Sequence, residues 1–97
     1  MVHQFPRFVV ERLVPEMTSA DLVGLHSALA EATQRLSADH TQVACLSTIY
    51  LPSTDRWIAV FAADAEETVH RAAMIAQLPP GDVHQAIELT ARRGETA

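Results

Sequence analysis

The sequence predicts an α+β fold whose elements follow in the order strand, helix, strand, strand, helix, strand. Short segments rich in Val, Ile, Thr and aromatic residues, which favour strands, end at prolines or at polar turn-like clusters. Between them lie two longer segments whose apolar residues recur every three or four positions, the spacing of a helix that covers a sheet. A chain of 97 residues is expected to fold as one domain with a single core.

The first predicted strand spans residues 7–14 and is expected to lie at the centre of the sheet. Its run Phe8-Val9-Val10 has the length and composition of a strand that is buried on at least one face. Glu11 interrupts the run, and a carboxylate in such a strand must reach solvent, a partner or a pocket. Because side chains alternate along a strand, Glu11 shares a face with Val9. If Phe8 and Val10 contact the helices, Glu11 therefore lies on the opposite face.

The first helix is predicted to begin at Thr18, which with Asp21 resembles a capping box, and to end near Leu36 or Ser37. Its apolar stripe consists of Leu22, Leu25, Leu29, Ala32 and Leu36.

Two strands, 41–51 and 56–62, follow as a hairpin with a turn at 52–55. In the second of them, Trp57 and Phe61 alternate with branched aliphatic residues. We expect the aliphatic residues to face the helices, which places both rings on the other face of the sheet.

The second helix is predicted to begin with Asp64 as its cap and to end before Pro79-Pro80-Gly81. Its small inward residues allow it to lie close to the sheet. A last strand at 82–89 completes a core of about residues 5–90, and 91–97 form a C-terminal tail.

This order of elements is the split β-α-β arrangement of a ferredoxin-like fold, a four-stranded antiparallel sheet with two helices on one face. Right-handed crossovers leave the first and third strands central and the second sheet face uncovered. Because an exposed apolar face of several hundred Å² is rarely tolerated by a monomer, we expect a homodimer that stacks two such faces as an α+β barrel.

The segment Arg7-Phe8-Val9-Val10-Glu11-Arg12, with Leu78-Pro79 further on, resembles a family of small ferredoxin-like proteins known as a domain of unknown function. The family includes nickel-binding members, so the resemblance implies this fold and, as an alternative function, binding of nickel or another transition metal. The family pattern places a cysteine, an aromatic and an acid along the third strand and a histidine on the second helix. The corresponding positions here are Ala59, Phe61, Ala62 and Ala72.

Composition argues against several classes of function. A net charge of -5 with seven Lys and Arg residues does not predict a nucleic-acid surface. No apolar run approaches a membrane span, and no secretory signal is recognisable, so we expect a cytoplasmic protein without a membrane partner. The single Cys45 excludes a disulfide within the chain and predicts a small buried apolar residue.

The candidate site is the cleft between the two sheets of the dimer, where we expect a small apolar or aromatic molecule to bind. Glu11 and His84 are the candidate catalytic residues, and neither a cofactor nor a metal ion is required. A cofactor-free cyclisation or isomerisation needs only a positioned carboxylate or imidazole and the exclusion of water. The candidate ligand-binding residues are Val9, Trp57, Phe61 and Tyr50.

Two plainer interpretations remain open. Glu11 would form a structural ion pair with Arg7 or with an arginine of the second copy. In the second interpretation, the whole chain is a non-catalytic interaction module whose interface is fully packed.

Overall fold

The computed structural model describes residues 5–78, 81–87 and 89, and it contains the six elements in the predicted order. The strands are β1 (Arg7–Leu13), β2 (Val43–Leu51), β3 (Arg56–Ala63) and β4 (Asp82–Ala86), and the helices are α1 (Ser19–Ala38) and α2 (Glu66–Ile75). The predicted tail at 91–97 lies outside the described residues.

The four strands form one antiparallel sheet in the order β2-β3-β1-β4. The first and third strands are therefore central, and the predicted α+β, ferredoxin-like arrangement is confirmed.

The last strand is shorter than predicted, because it ends at Ala86 and not at Leu89. Ala86 pairs with Arg7, the first residue of β1. In an antiparallel ladder the residue after Ala86 would pair with the residue before Arg7, which is Pro6. Proline lacks an N–H group and cannot continue the ladder. The apolar pattern continues beyond the point where a pairing partner exists.

Both helices cover the same face of the sheet. Phe8 pairs with Phe61 and Val10 with Ala59, and residues directly opposite in an antiparallel pair share a face. All four are buried in one core cluster that also contains residues of both helices, namely Leu29, Leu36, Val69 and Ala72. The predicted orientation of Phe8 and Val10 toward the helices is confirmed.

The orientation predicted for β3 is wrong. Trp57 is 1% exposed and Phe61 is 0% exposed, and both belong to the core on the helix side. Ile58 and Val60 therefore lie on the uncovered face. The physical reason is that α2 presents small residues to the sheet, so large rings fill the space that branched aliphatic side chains would leave empty.

The two helices begin differently. At α1 the predicted capping box is present, since Thr18 Oγ1 accepts the Asp21 N–H and Asp21 Oδ2 accepts the Thr18 N–H. At α2 the predicted cap is wrong, because Ala65 is the N-cap and makes no side-chain bond. Asp64 lies one residue before the N-cap, and its carboxylate accepts a hydrogen bond from the hydroxyl of Thr68 instead.

Among the residues that the structure describes, neither helix combines the length and the apolar character needed to cross a lipid bilayer.

Candidate functional site

The strand side chains opposite the helices form a surface that we call the open face. Its residues form four rows across the sheet, which are Ala44-Ala62-Arg7-Ala86, Ser47-Val60-Val9-His84, Ile49-Ile58-Glu11-Asp82 and Leu51-Arg56-Leu13. Much of this surface is aliphatic and exposed, with Leu13 at 68%, Ile49 at 49% and Leu51 at 41%. The two rows at one end combine large aliphatic residues with Glu11, Asp82 and Arg56, and the row at the other end combines three alanines with Arg7.

Glu11 lies on the open face, as the alternation in β1 predicted. Its Oε2 atom accepts a hydrogen bond from Arg56 Nη1 at 3.0 Å, and both side chains are partly exposed, at 39% and 47%. Asp82 lies directly opposite Glu11 on β4. An exposed pair of this kind contributes about 0–1 kcal/mol to stability, so its main effect is to hold the carboxylate in place.

The ion pair is made with a residue that differs from the one expected. The expected partner, Arg7, is four residues away on the same strand, whereas Arg56 belongs to the neighbouring strand. Arg7 Nη1 instead donates to the backbone carbonyl of Phe5 at 2.8 Å. Arg56 is a diagonal cross-strand neighbour of Glu11 on the same face. Such neighbours lie about 7–8 Å apart, whereas residues four positions apart along a strand lie about 13 Å apart, which favours Arg56.

His84 and Val9 are brought together as predicted. They are directly opposite each other on β4 and β1, and His84 is exposed. Glu11 lies in the adjacent row of the same face. The open face therefore carries three of the six predicted site residues.

Trp57, Phe61 and Tyr50 are not on the open face, so their predicted contact with a ligand there is wrong. Tyr50 pairs with Trp57 and packs against the core on the helix side. Its hydroxyl donates to Asp55 Oδ1 at 3.0 Å and lies 3.3 Å from the carbonyl oxygen of Val14. Desolvation, together with the hydrogen bond to the Asp55 carboxylate and the charge of that group, raises the pKa of Tyr50. The hydroxyl fixes the turn between β2 and β3 to the end of β1.

Residues that sequence reasoning missed include Arg56, Ile58, Val60 and Ile49. The alternation of side chains along the hairpin strands predicts that Ile58 and Val60 share one face. That face was assigned to the helix side because both faces of β3 are apolar between Trp57 and Phe61.

Cys45 is partly buried beside Phe61 on the helix side, in agreement with its predicted role as a small apolar residue. Burial raises the pKa of its thiol to about 11. Since the thiolate is the reactive form, Cys45 is poorly suited to be a nucleophile near neutral pH.

We therefore expect iodoacetamide to alkylate Cys45 in the folded chain at least about tenfold more slowly than in the urea-unfolded chain, at about pH 8. The fall in thiolate fraction exceeds the gain in nucleophilicity that a higher pKa brings. Mass spectrometry of the alkylated product measures both rates. Equal rates in the two states would show that the thiol is accessible and ionised in the fold.

Among the residues that the structure describes, no set of side chains fits a nickel ion. Ala59, Ala62 and Ala72 occupy three of the four positions of the pattern described for the resembled family. All three are fully buried and offer no ligand atom. Within residues 5–78, 81–87 and 89, no group of three or more His, Cys, Asp or Glu side chains is arranged to hold a metal ion.

Together these observations define an α+β domain with one sheet face covered by helices and one partly aliphatic face left open. No protein-family model, curated protein or solved structure matches the chain. The family resemblance thus stays a prediction, and functional inference rests on the site itself.

Proposed function

We propose that the open face binds a second copy of this chain, and that the cleft between the two faces binds a small apolar or aromatic molecule. The observation that carries the proposal is the set of aliphatic residues Ile49, Leu51, Ile58 and Leu13, which lie in two adjacent rows of the open face beside Arg56 and Glu11. Three of the four are exposed, Ile58 being partly buried. Exposed apolar surfaces of this kind mark interaction sites.

The charges of the open face favour a copy of itself as the partner. Two arginines, Arg7 and Arg56, are balanced by Glu11 and Asp82, so the face is close to neutral and carries both signs. A two-fold interface must be self-complementary, and a balanced surface meets that condition. Because Glu11 is already paired with Arg56, it can enter an interface without leaving a lone buried charge.

The size of the face sets how much of it a dimer would use. At about 4.8 Å between strands and about 3.3 Å per residue, four strands of about seven residues cover about 450 Å² in projection, and their accessible area is larger. Stable interfaces bury about 800 Å² per partner, so such a dimer would use the whole face and part of its surroundings.

The four rows indicate where a ligand would lie. Long side chains at one end of the face can meet those of the second copy. At the other end Ala44 and Ala86 are small and leave space between the sheets on either side of Arg7 and the buried Ala62. The adjacent row contributes Val9 and His84 as an apolar wall and a proton-transferring group. Glu11, one row further, is the second group able to transfer a proton at this surface. With water excluded, such groups suffice for a cofactor-free cyclisation or isomerisation.

Native mass spectrometry of the purified chain tests both parts of the proposal. We expect a dimer at micromolar concentration that retains a small molecule or binds the apolar dye Nile red. A monomer at every concentration would contradict the dimer. A dimer that neither retains a molecule nor binds the dye would contradict the ligand cleft and favour a purely structural interface.

A further inference from the structure

A separate cavity of about 430 Å³ lies on the helix side of the sheet, between the first half of α1, the end of β1 and the segment after α2. We call it the helix groove. Its walls are largely apolar and include Val14, Leu25, Ala28 and Leu78. Its volume falls within the range of about 300–1,000 Å³ that is typical of small-molecule sites.

One stripe of α1 forms a wall of the groove, and two of its residues are small. The stripe consists of Asp21, Gly24, Leu25 and Ala28. A Cβ atom added at Gly24 would meet no atom within 4 Å. Glycine inside a helix costs about 1 kcal/mol relative to alanine, so neither helix stability nor packing accounts for Gly24.

The groove also contains a cation beside its apolar wall. Arg12 is one of the residues that line it, and the Arg12 side chain lies against Gly81, where an added Cβ would stand 2.9 Å from Nη1. A guanidinium has five N–H donors and can bind a ligand while keeping other partners. Asp21 lines the groove as well, but its Oδ2 atom accepts the Thr18 N–H at 3.0 Å, and its charge is stabilised at the positive end of the helix.

From this combination we propose that the helix groove binds a small amphipathic carboxylate. The carboxylate contacts Arg12, and the aliphatic or aromatic body lies on Leu25, Ala28 and Leu78. The pairing is favoured because charge-assisted hydrogen bonds between guanidinium and carboxylate are the strong and geometrically specific ones. This site is on the opposite side of the sheet from the open face and does not depend on dimerisation.

Titration of the ¹⁵N-labelled chain with octanoate, 1-octanol and octylamine, each below its aggregation concentration, tests the proposal by nuclear magnetic resonance. We expect octanoate to bind most tightly and to shift the amide signals of Gly24, Ala28 and Ala76. Arg12→Gln is expected to weaken octanoate binding about tenfold or more while leaving octanol binding unchanged, because only the carboxylate uses the charge. Tighter binding of octylamine than of octanoate, or shifts confined to other surfaces, would overturn the proposal.

Gly24→Leu tests the location independently of charge. Its side chain is expected to fill the groove and abolish octanoate binding, and the substitution favours the helix, so folding is preserved. Gly24→Ala is the matched control, since it changes the helix propensity but leaves most of the volume, and it should bind octanoate as the unaltered chain does. Unchanged binding by Gly24→Leu would overturn the proposal. Ile49→Lys, on the open face, should leave octanoate binding unaffected, so failure of the dimer proposal is distinguishable from failure of this one.

Discussion

Replacement of Phe61 by alanine is expected to lower the free energy of unfolding by about 3–5 kcal/mol. The ring is fully buried between Phe8 and Cys45 on the helix side of the sheet, so its loss leaves a cavity that the surrounding core only partly fills. Domains of this size are stable by about 5–15 kcal/mol, so the substitution removes between about a fifth and all of the stability. Urea unfolding measures the effect, with the fluorescence of Trp57, the single tryptophan of the chain, as the probe.

Val60→Ala is the matched control because Val60 is the preceding residue and lies on the open face. Measured on dilute, monomeric protein, it should lower the free energy of unfolding by about 1 kcal/mol or less, the usual effect of a partly exposed substitution. If Phe61→Ala cost no more than Val60→Ala, the ring would be a surface group, as expected of a residue that lines a ligand cleft.

Residues of β1 show why part of this arrangement could be predicted from the sequence. Alternation places Glu11 and Val9 on one face and Phe8 and Val10 on the other. With the apolar Phe8 and Val10 directed toward the helices, Glu11 was expected on the opposite face, and the structure has this arrangement. The order of the six elements could also be predicted, because prolines and polar turns separate the segments.

In β3 the comparable charged residue is Arg56, the first residue of the strand, which lies on the same face as Ile58 and Val60. From Trp57 to Phe61 both faces are apolar, so alternation within that run cannot say which one is inward. The choice depends on the volume between sheet and helices, which small residues such as Ala72 leave to the rings. That volume is a property of the assembled fold.

The polar contacts of the site were also beyond local inference. Glu11 and Arg56 are separated by 45 residues in sequence and meet only through the pairing of β1 with β3. The Tyr50 hydroxyl likewise reaches the carbonyl oxygen of Val14, 36 residues away. Such contacts follow from strand register, which the spacing of apolar residues does not determine by itself.

Ile49→Lys is expected to raise the dissociation constant of the proposed homodimer about 100-fold or more, equivalent to about 2.7 kcal/mol. Ile49 is 49% exposed on β2, an edge strand, where a lysine is compatible with the folded monomer. In the dimer, two-fold symmetry would place two new ammonium groups against aliphatic surface, with no added carboxylate to pair with them. Sedimentation equilibrium over a range of concentrations measures the change.

Val23→Lys provides the comparison, because Val23 is 65% exposed but lies on α1, away from the open face. It introduces the same charge onto a similarly exposed aliphatic position, so it separates the effect of interface location from that of net charge. We expect its dimer to dissociate like that of the unaltered chain. Equal weakening by both variants would mean that charge rather than contact is responsible, and a dimer unaffected by Ile49→Lys would mean that the two copies associate through another surface. That second result would remove the cleft between stacked sheets, because Glu11, Val9 and His84 would then face solvent rather than a second copy.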